Sequence, residues 1–182
     1  VPRLVLVNGP PGIGKSTLAR RYLDDHPLAL SLDVDVVRRL LGRWQENAAE
    51  SGVLARRVAV AAISEHVRAG FDVVVPQFLG REPFIEELER TAAELAVPFV
   101  EVVLLDSRVN AIARFHARSS DAALAAHHRE AAAMAGGDAG LGAMYDLLTG
   151  LLERRPHARV VRTTAGDVDG AYRDLIAAVE AG

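Results

Sequence analysis

Gly9-Pro10-Pro11-Gly12-Ile13-Gly14-Lys15-Ser16-Thr17 decides how the rest of the chain is read. It fills every fixed position of G-x-x-x-x-G-K-[ST], a phosphate-binding loop. Its glycines permit backbone angles that turn successive N–H groups inward, making a nest for phosphate oxygens. Lys15 is a mobile point charge with the reach for β- and γ-phosphates, and the Ser16 hydroxyl is suited to ligate Mg2+. The positive end of the following helix dipole adds to the same anion site. On this reading the run from Gly9 to Thr17, with Pro10, Pro11 and Ile13 inside it, lies against a nucleoside triphosphate.

Context supports the motif. Leu4-Val5-Leu6-Val7 before it reads as a buried strand, and Leu18, Ala19, Tyr22 and Leu23 after it recur with helical spacing. A chance glycine turn between strand and helix is the alternative. Further on, Pro27 ends the first helix and Leu28 to Leu32 reads as strand two. Val36, Val37, Leu40 and Leu41 return to helical spacing, Gly42, Trp44 and Gln45 mark a bend, and a helix runs from Gly52 to Ala69. Phe71 to Val75 is strand three, closed by Pro76, and residues 82–95 are helical. Phe99 to Leu105 is strand four, followed by a helix with Asp106 or Ser107 as its cap. Residues 119–138, rich in alanine and ending in glycines, read as a mobile segment with some helix. A helix from Leu141 to Arg154, strand five at residues 158–162 and a closing helix from Val168 to Val179 complete the chain.

Strands alternate with helices throughout, which predicts one α/β domain over residues 1–182. Its expected form is a three-layer sandwich of the P-loop nucleotide triphosphatase kind. A five-stranded parallel sheet carries helices on both faces, with a lid at about 115–138. Half of the 182 residues are apolar, enough for a sizeable core. The formal charge of −3 gives no general attraction to nucleic acid or anionic membrane. The sequence has no cysteine, which removes disulfides, thiolate metal sites and cysteine nucleophiles. No run approaches the roughly 20 apolar residues that span a bilayer, and the first apolar run is too short for a signal peptide. The expectation is a cytoplasmic protein, a monomer or homodimer.

Ligands of a parallel sheet bind beyond the carboxyl ends of its strands, and three features fall there besides the loop. Asp33-Val34-Asp35 ends strand two. If the chain is still extended, both carboxylates face one side, one holding water around Mg2+ and the other accepting a proton from a substrate hydroxyl. Arg38 shares a helix face with Asp35 if the helix starts there; the plainer reading is that Asp35 caps the helix and Arg38 pairs with it. Arg114 and Arg118 share another face, placed to close over a triphosphate, or else to form a solvated basic surface. Thr163 to Asp167 is a turn suited to wrap a nucleotide base by backbone contacts, which brings Thr164 and Gly166 into the ATP site. Asp167-Val168-Asp169-Gly170 fits a D-x-x-G switch pattern, but capping is the better reading at a helix start.

Other positions say less. Strand three ends in Pro76-Gln77, where many phosphate-loop proteins carry a Mg2+-binding aspartate; Gln77 can offer a hydrogen bond to substrate but no charge. Arg43, Trp44, Phe78 and Arg81 suit an acceptor pocket or ordinary packing equally. The adjacent His127 and His128 do not share a helix face and are not read as metal ligands.

Gly9 to Thr17 followed by Asp35 and Arg38 resembles the small P-loop kinases that phosphorylate hydroxyl groups, in particular the kinase domain of phage-type polynucleotide 5′-hydroxyl kinase. That resemblance implies Asp35 as the base, Arg38 on the acceptor side and Arg118 as a lid arginine. Asp33-x-Asp35 is similar to shikimate kinase, which implies Asp33 serving Mg2+ and Asp35 holding the acceptor hydroxyl. Chloramphenicol phosphotransferase has a comparable strand-two aspartate. The chain departs from polynucleotide kinases at Pro76-Gln77 and lacks the glycine-rich acceptor loop of shikimate kinases. The expected activity is therefore ATP- and Mg2+-dependent phosphotransfer to a small-molecule hydroxyl on a sugar, nucleoside or antibiotic. Asp35, Lys15, Arg118 and Arg38 are its catalytic set. The rival expectations are a polynucleotide 5′-hydroxyl kinase and a nucleotide-dependent switch or ATPase. The guanine-reading motif N/T-K-x-D of GTPase switches does not occur.

Overall fold

Alternation along β1 (Leu4–Asn8) sets the layers. Leu4 and Leu6 enter one apolar cluster, while Val5 and Val7 enter the other. A strand buried on both faces reads as a continuous apolar run, and β3 (Val73–Pro76) and β4 (Phe99–Leu105) follow the same logic. With β2 (Leu30–Ser31) and β5 (Arg159–Arg162) they form a five-stranded sheet of order β2-β3-β1-β4-β5. Every pairing is parallel. This computed structural model describes residues 1–119 and 137–181, without the side chains of Arg118 and Ser119. Most of the expected lid, with His127 and His128, therefore lies outside the described residues.

Helices cover both faces of the sheet. On the Val5 side, α1 (Lys15–Asp25) packs through Leu18 and Tyr22. On the Leu6 side, α3 (Ala48–Arg68) packs through Ala55, Ala59 and Ile63, and α4 (Glu82–Glu94) through Ile85 and Leu88. The short α2 (Val34–Arg39) begins just after β2, and α5 (Arg108–Ser119) just after β4. α6 (Gly137–Arg154) adds Leu148 and Leu151 to the Leu6 side, and α7 (Val168–Glu180) adds Tyr172 and Leu175 to the Val5 side. Each fully buried aliphatic side chain contributes about 1.5–3 kcal/mol. The result is the three-layer α/β sandwich of the P-loop nucleotide triphosphatases.

Some boundaries differ from expectation. β2 is shorter than Leu28 to Leu32 because Leu28 turns the chain at φ 66° and Asp33 already caps α2. α3 starts at Ala48 rather than Gly52, since Arg38 Nη2 donates to Ala48 O and Ser51 Oγ to Trp44 O, fixing an extra turn. α6 starts at Gly137 rather than Leu141.

β4 carries one charge into the core. Glu101 is 5% exposed; its Oε2 accepts from Arg155 Nε at 2.9 Å, and Oε1 has no partner among the described residues. Burial pushes the Glu101 carboxyl above its usual range, and Arg155 pulls it only part of the way back. β1 itself lies between β3 and β4, so the loop leaving it opens at the switch point of the sheet.

Candidate active site

The loop after β1 is shaped by close approach. Gly12 has φ 79°, and a Cβ there would lie 2.8 Å from Phe115 Cα; one on Gly9 would lie 2.9 Å from Leu104 O. Backbone of α5 and β4 thus closes on the loop at Gly12 and Gly9. Gly14, at φ 116°, is the N-cap of α1 and supplies no side-chain acceptor, so the first N–H groups of that helix remain for an anion. These features fit a triphosphate. Lys15 Nζ folds back over the loop, donating to Gly9 O at 2.8 Å and Pro10 O at 3.0 Å. Ser16 and Thr17 are exposed on the first turn of α1, while Ile13 is buried and Pro11 half-buried.

Asn8, fully buried at the end of β1, anchors this loop to the next one. Its Oδ1 accepts from Gly9 N at 2.8 Å and Leu79 N at 2.9 Å, and its Nδ2 donates to Leu79 O at 2.8 Å. Sequence reasoning gave Asn8 no role; one asparagine before a glycine carries no signal for a partner 71 residues away.

At the end of β2 the chain turns helical earlier than an extended Asp33-x-Asp35 requires. Asp33 is the N-cap of α2, its Oδ1 accepting from Asp35 N at 2.8 Å and Val36 N at 3.3 Å. Capping therefore falls to Asp33 rather than Asp35. Asp35 sits exposed in the first turn, where its Oδ2 accepts from Gln77 Nε2 at 2.9 Å. Arg38 turns to α3: Nε donates to Ser51 Oγ at 3.0 Å, and its guanidinium lies 5.1 Å from the Trp44 ring centroid. Phe78 packs on the Leu6-side core, whereas Arg43 pairs with Glu46 at the surface and Arg81 is exposed at the start of α4.

The other flank is built on Arg114. Its Nη2 donates to Ile13 O at 2.8 Å, and its Nη1 to Thr163 Oγ1 at 3.0 Å and Asp106 Oδ2 at 3.3 Å. One side chain thus ties the phosphate loop to the ends of β4 and β5. Burial of Asp106 works against its charge, but bonds from Asn110, Ser107 and Arg114 outweigh it and hold the carboxyl below its usual range. Ser107 Oγ accepts from Asn110 N at 3.2 Å and so caps α5. Beside Arg114 opens a cavity of about 240 Å3 lined by Gly14, Thr17, Thr163, Thr164 and Gly166 among others. Asp167 caps α7 through Gly170 N at 2.8 Å, which agrees with the capping reading of D-x-x-G.

The family model of the AAA domain matches residues 4–136, which include the phosphate loop, Asp33, Asp35 and Arg114 but not β5 or the turn at Thr164 and Gly166. The chain belongs to the AAA-domain family. No curated protein matches it in sequence. Among solved structures, a gluconokinase from Sinorhizobium meliloti 1021 is 18% identical, with a TM-score of 0.62 over 99% of this chain and 95% of that one. The Deinococcus radiodurans tunicamycin resistance protein is 14% identical, with a TM-score of 0.62 over 99% and 96%. A chain of the Pnkp1/Rnl/Hen1 RNA repair complex is 15% identical, with a TM-score of 0.60, covering 84% of this chain and 46% of that one. At such identities the likeness is one of fold.

In this AAA domain the fold gathers Lys15, Arg114 and the turn at Thr164 and Gly166 around the phosphate loop. Asp33 and Asp35 stand at the start of α2, linked to β3 by Gln77. Arg38 is bound into the α2–α3 junction, and the side chain of Arg118 lies outside the described residues. No group of three or more His, Cys, Asp or Glu side chains among the described residues converges as a metal site. No helix among them is long and apolar enough to cross a membrane.

Proposed function

We propose that this AAA domain is a phosphotransferase that moves the γ-phosphoryl group of ATP to a hydroxyl of a small molecule, with Asp35 as general base. One observation carries the reading. Asp35 is an exposed carboxylate tied through Gln77 to the strand that feeds the phosphate loop: Gln77 Nε2 donates to Asp35, and Gln77 N donates to Val7 O at 3.2 Å. A base held in register with the donor loop is what phosphoryl transfer needs, since catalysis there is mainly positioning and charge stabilisation.

In the reaction the acceptor oxygen bonds to the γ-phosphorus as Asp35 takes its proton. The bond from that phosphorus to the β–γ bridging oxygen breaks, and ADP leaves with the electron pair. Lys15 exchanges the carbonyls of Gly9 and Pro10 for phosphate oxygens, and Arg118 adds positive charge from α5. Mg2+, when bound, draws charge from the β- and γ-phosphate oxygens. Ser16 would hold it directly and Asp33 through water, with Oδ2, since Oδ1 is taken by the cap. Mg2+ needs few protein ligands beside phosphates, so this sparse set fits it. Arg114, Thr164 and Gly166 would line the site of the nucleobase, and Arg38 would serve the acceptor side only by leaving Ser51 and Trp44.

The neighbours named for gluconate phosphorylation and tunicamycin resistance favour a small hydroxylated acceptor. The RNA repair neighbour keeps a polynucleotide acceptor as the rival, against the acidic balance of the chain. The test is ADP release from Mg·ATP with D-gluconate, ribonucleosides, chloramphenicol, tunicamycin or a 5′-hydroxyl oligonucleotide. Turnover with one small molecule, lowered about 10²–10⁴-fold in Asp35→Asn, supports the proposal. Turnover with the oligonucleotide alone replaces it by polynucleotide kinase activity. Hydrolysis that needs no acceptor and survives Asp35→Asn replaces it by a switch or ATPase.

A further inference from the structure

The carboxyl end of β3 carries a device that the phosphate loop and the aspartates do not explain. Gln77 leaves β3 with both ends of its carboxamide engaged. One end faces Val34 N at 3.1 Å and the other faces Asp35 Oδ2 at 2.9 Å. Val34 N–H can only donate, so the end facing it is the oxygen; the end facing Asp35 is then the NH2 group. That group donates, so the contact holds Asp35 through Oδ2 as the acceptor. The Asp35 side chain has no other hydrogen bond among the described residues and is exposed, so this one bond selects its rotamer.

The backbone of Gln77 is itself fixed. Its N–H donates to Val7 O, and two residues on, both polar groups of the Leu79 peptide are gripped by Asn8. Asn8 also holds Gly9 N, the first amide of the phosphate loop. Two neutral amides therefore link loop to base in an unbroken chain: Gly9, Asn8, the residue 77–79 segment, Gln77, Asp35.

We infer that Gln77 is a positioning residue that aims Asp35 at the acceptor hydroxyl, leaving Oδ1 for the proton. The inference rests on the phosphotransfer reading above. A carboxylate at position 77 would repel Asp35. The neutral amide instead supplies a donor while still accepting from Val34.

The test uses Gln77→Glu, which keeps the size of the side chain and the acceptor for Val34 N–H but removes the donor to Asp35. Gln77→Glu should melt lower by roughly 2–4 °C. The exchange variant Asp35→Asn/Gln77→Glu should recover most of that, because amide and carboxylate then face each other again with the same total charge. Failure of the second change to restore the first overturns the contact, and this arm needs no acceptor. The kinetic arm uses whichever of D-gluconate, a ribonucleoside or chloramphenicol the wild type phosphorylates. There Gln77→Glu should lower kcat by about 10–100-fold with KM for Mg·ATP held within about twofold. A purely structural Gln77 would leave kcat near wild type, and that result overturns the inference. Wild-type turnover in Asp35→Asn alone would instead strike the phosphotransfer reading, whatever Gln77→Glu does.

Discussion

Lys15 is the one lysine in the sequence, and its ammonium already lies across the phosphate loop on the carbonyls of Gly9 and Pro10. Amine acylation followed by mass spectrometry therefore reads this site with the α-amino group as internal control. Mg·ATP should protect Lys15 in proportion to occupancy and leave the α-amino group unchanged; equal labelling of Lys15 with and without nucleotide would contradict its role. Gly12→Ala is expected to cost about 1–3 kcal/mol from the positive φ alone, read as a lower thermal midpoint. Contact of the new Cβ with Phe115 backbone adds to that, because backbone cannot swing aside. The phosphate loop was legible in the sequence because its demands are local: glycines, a lysine and a hydroxyl at fixed spacing. Asn8 and Gln77 were not legible as connectors, since their partners lie 71 and 42 residues away and amides pair with almost anything polar. Asp33 and Asp35 were legible as lying where strand two ends, but not as carboxylates on one side of an extended chain. Which of them caps depended on where the helix begins, a boundary that periodicity does not fix within one residue.

At the scale of elements, α5 ties the phosphate loop to the ends of β4 and β5. Arg114 bonds the loop and β5, while Asp106 bonds Arg114 and Asn110. Asp106→Asn should cost about 1.5–3 kcal/mol at neutral pH, through loss of charge-assisted bonds. The sign of its pH dependence is fixed by its lowered carboxyl. Its contribution is present above the ordinary aspartate range and is lost as pH falls through the lower folded value. Thermal midpoints measured from neutral pH into acid should therefore converge for wild type and variant; a constant gap would contradict the assignment. β1, β3 and β4 were legible as runs buried on both faces. β2 was overextended in the sequence reading because Leu28 is apolar yet stands in the turn before the strand, 68% exposed.

At the scale of the whole molecule, alternation of strand and helix was enough to predict a parallel sheet with helices on both faces. The order of its strands was not, because several apolar strands pair equally well until their connections are drawn. Glu101 shows what patterning misses: an acid inside an apolar strand, matched by Arg155 from beyond α6. Its carboxyl is raised, so the native state holds a proton that the unfolded chain has released, and stability falls as pH rises through that window. Glu101→Gln should flatten this fall above the ordinary glutamate range while keeping an acceptor for Arg155. An unchanged slope in denaturant titrations across pH would place the dependence elsewhere.

Under the proposed function, the phosphate loop and Asp35 act on one phosphoryl group. Following the label from γ-32P-ATP with purified protein, Mg2+ and each acceptor tests it most directly. Label is expected on one small organic hydroxyl compound in wild type, and about 10²–10⁴-fold more slowly in Asp35→Asn although that variant still binds Mg·ATP. Label appearing only as inorganic phosphate, at equal rates in both proteins, would contradict it.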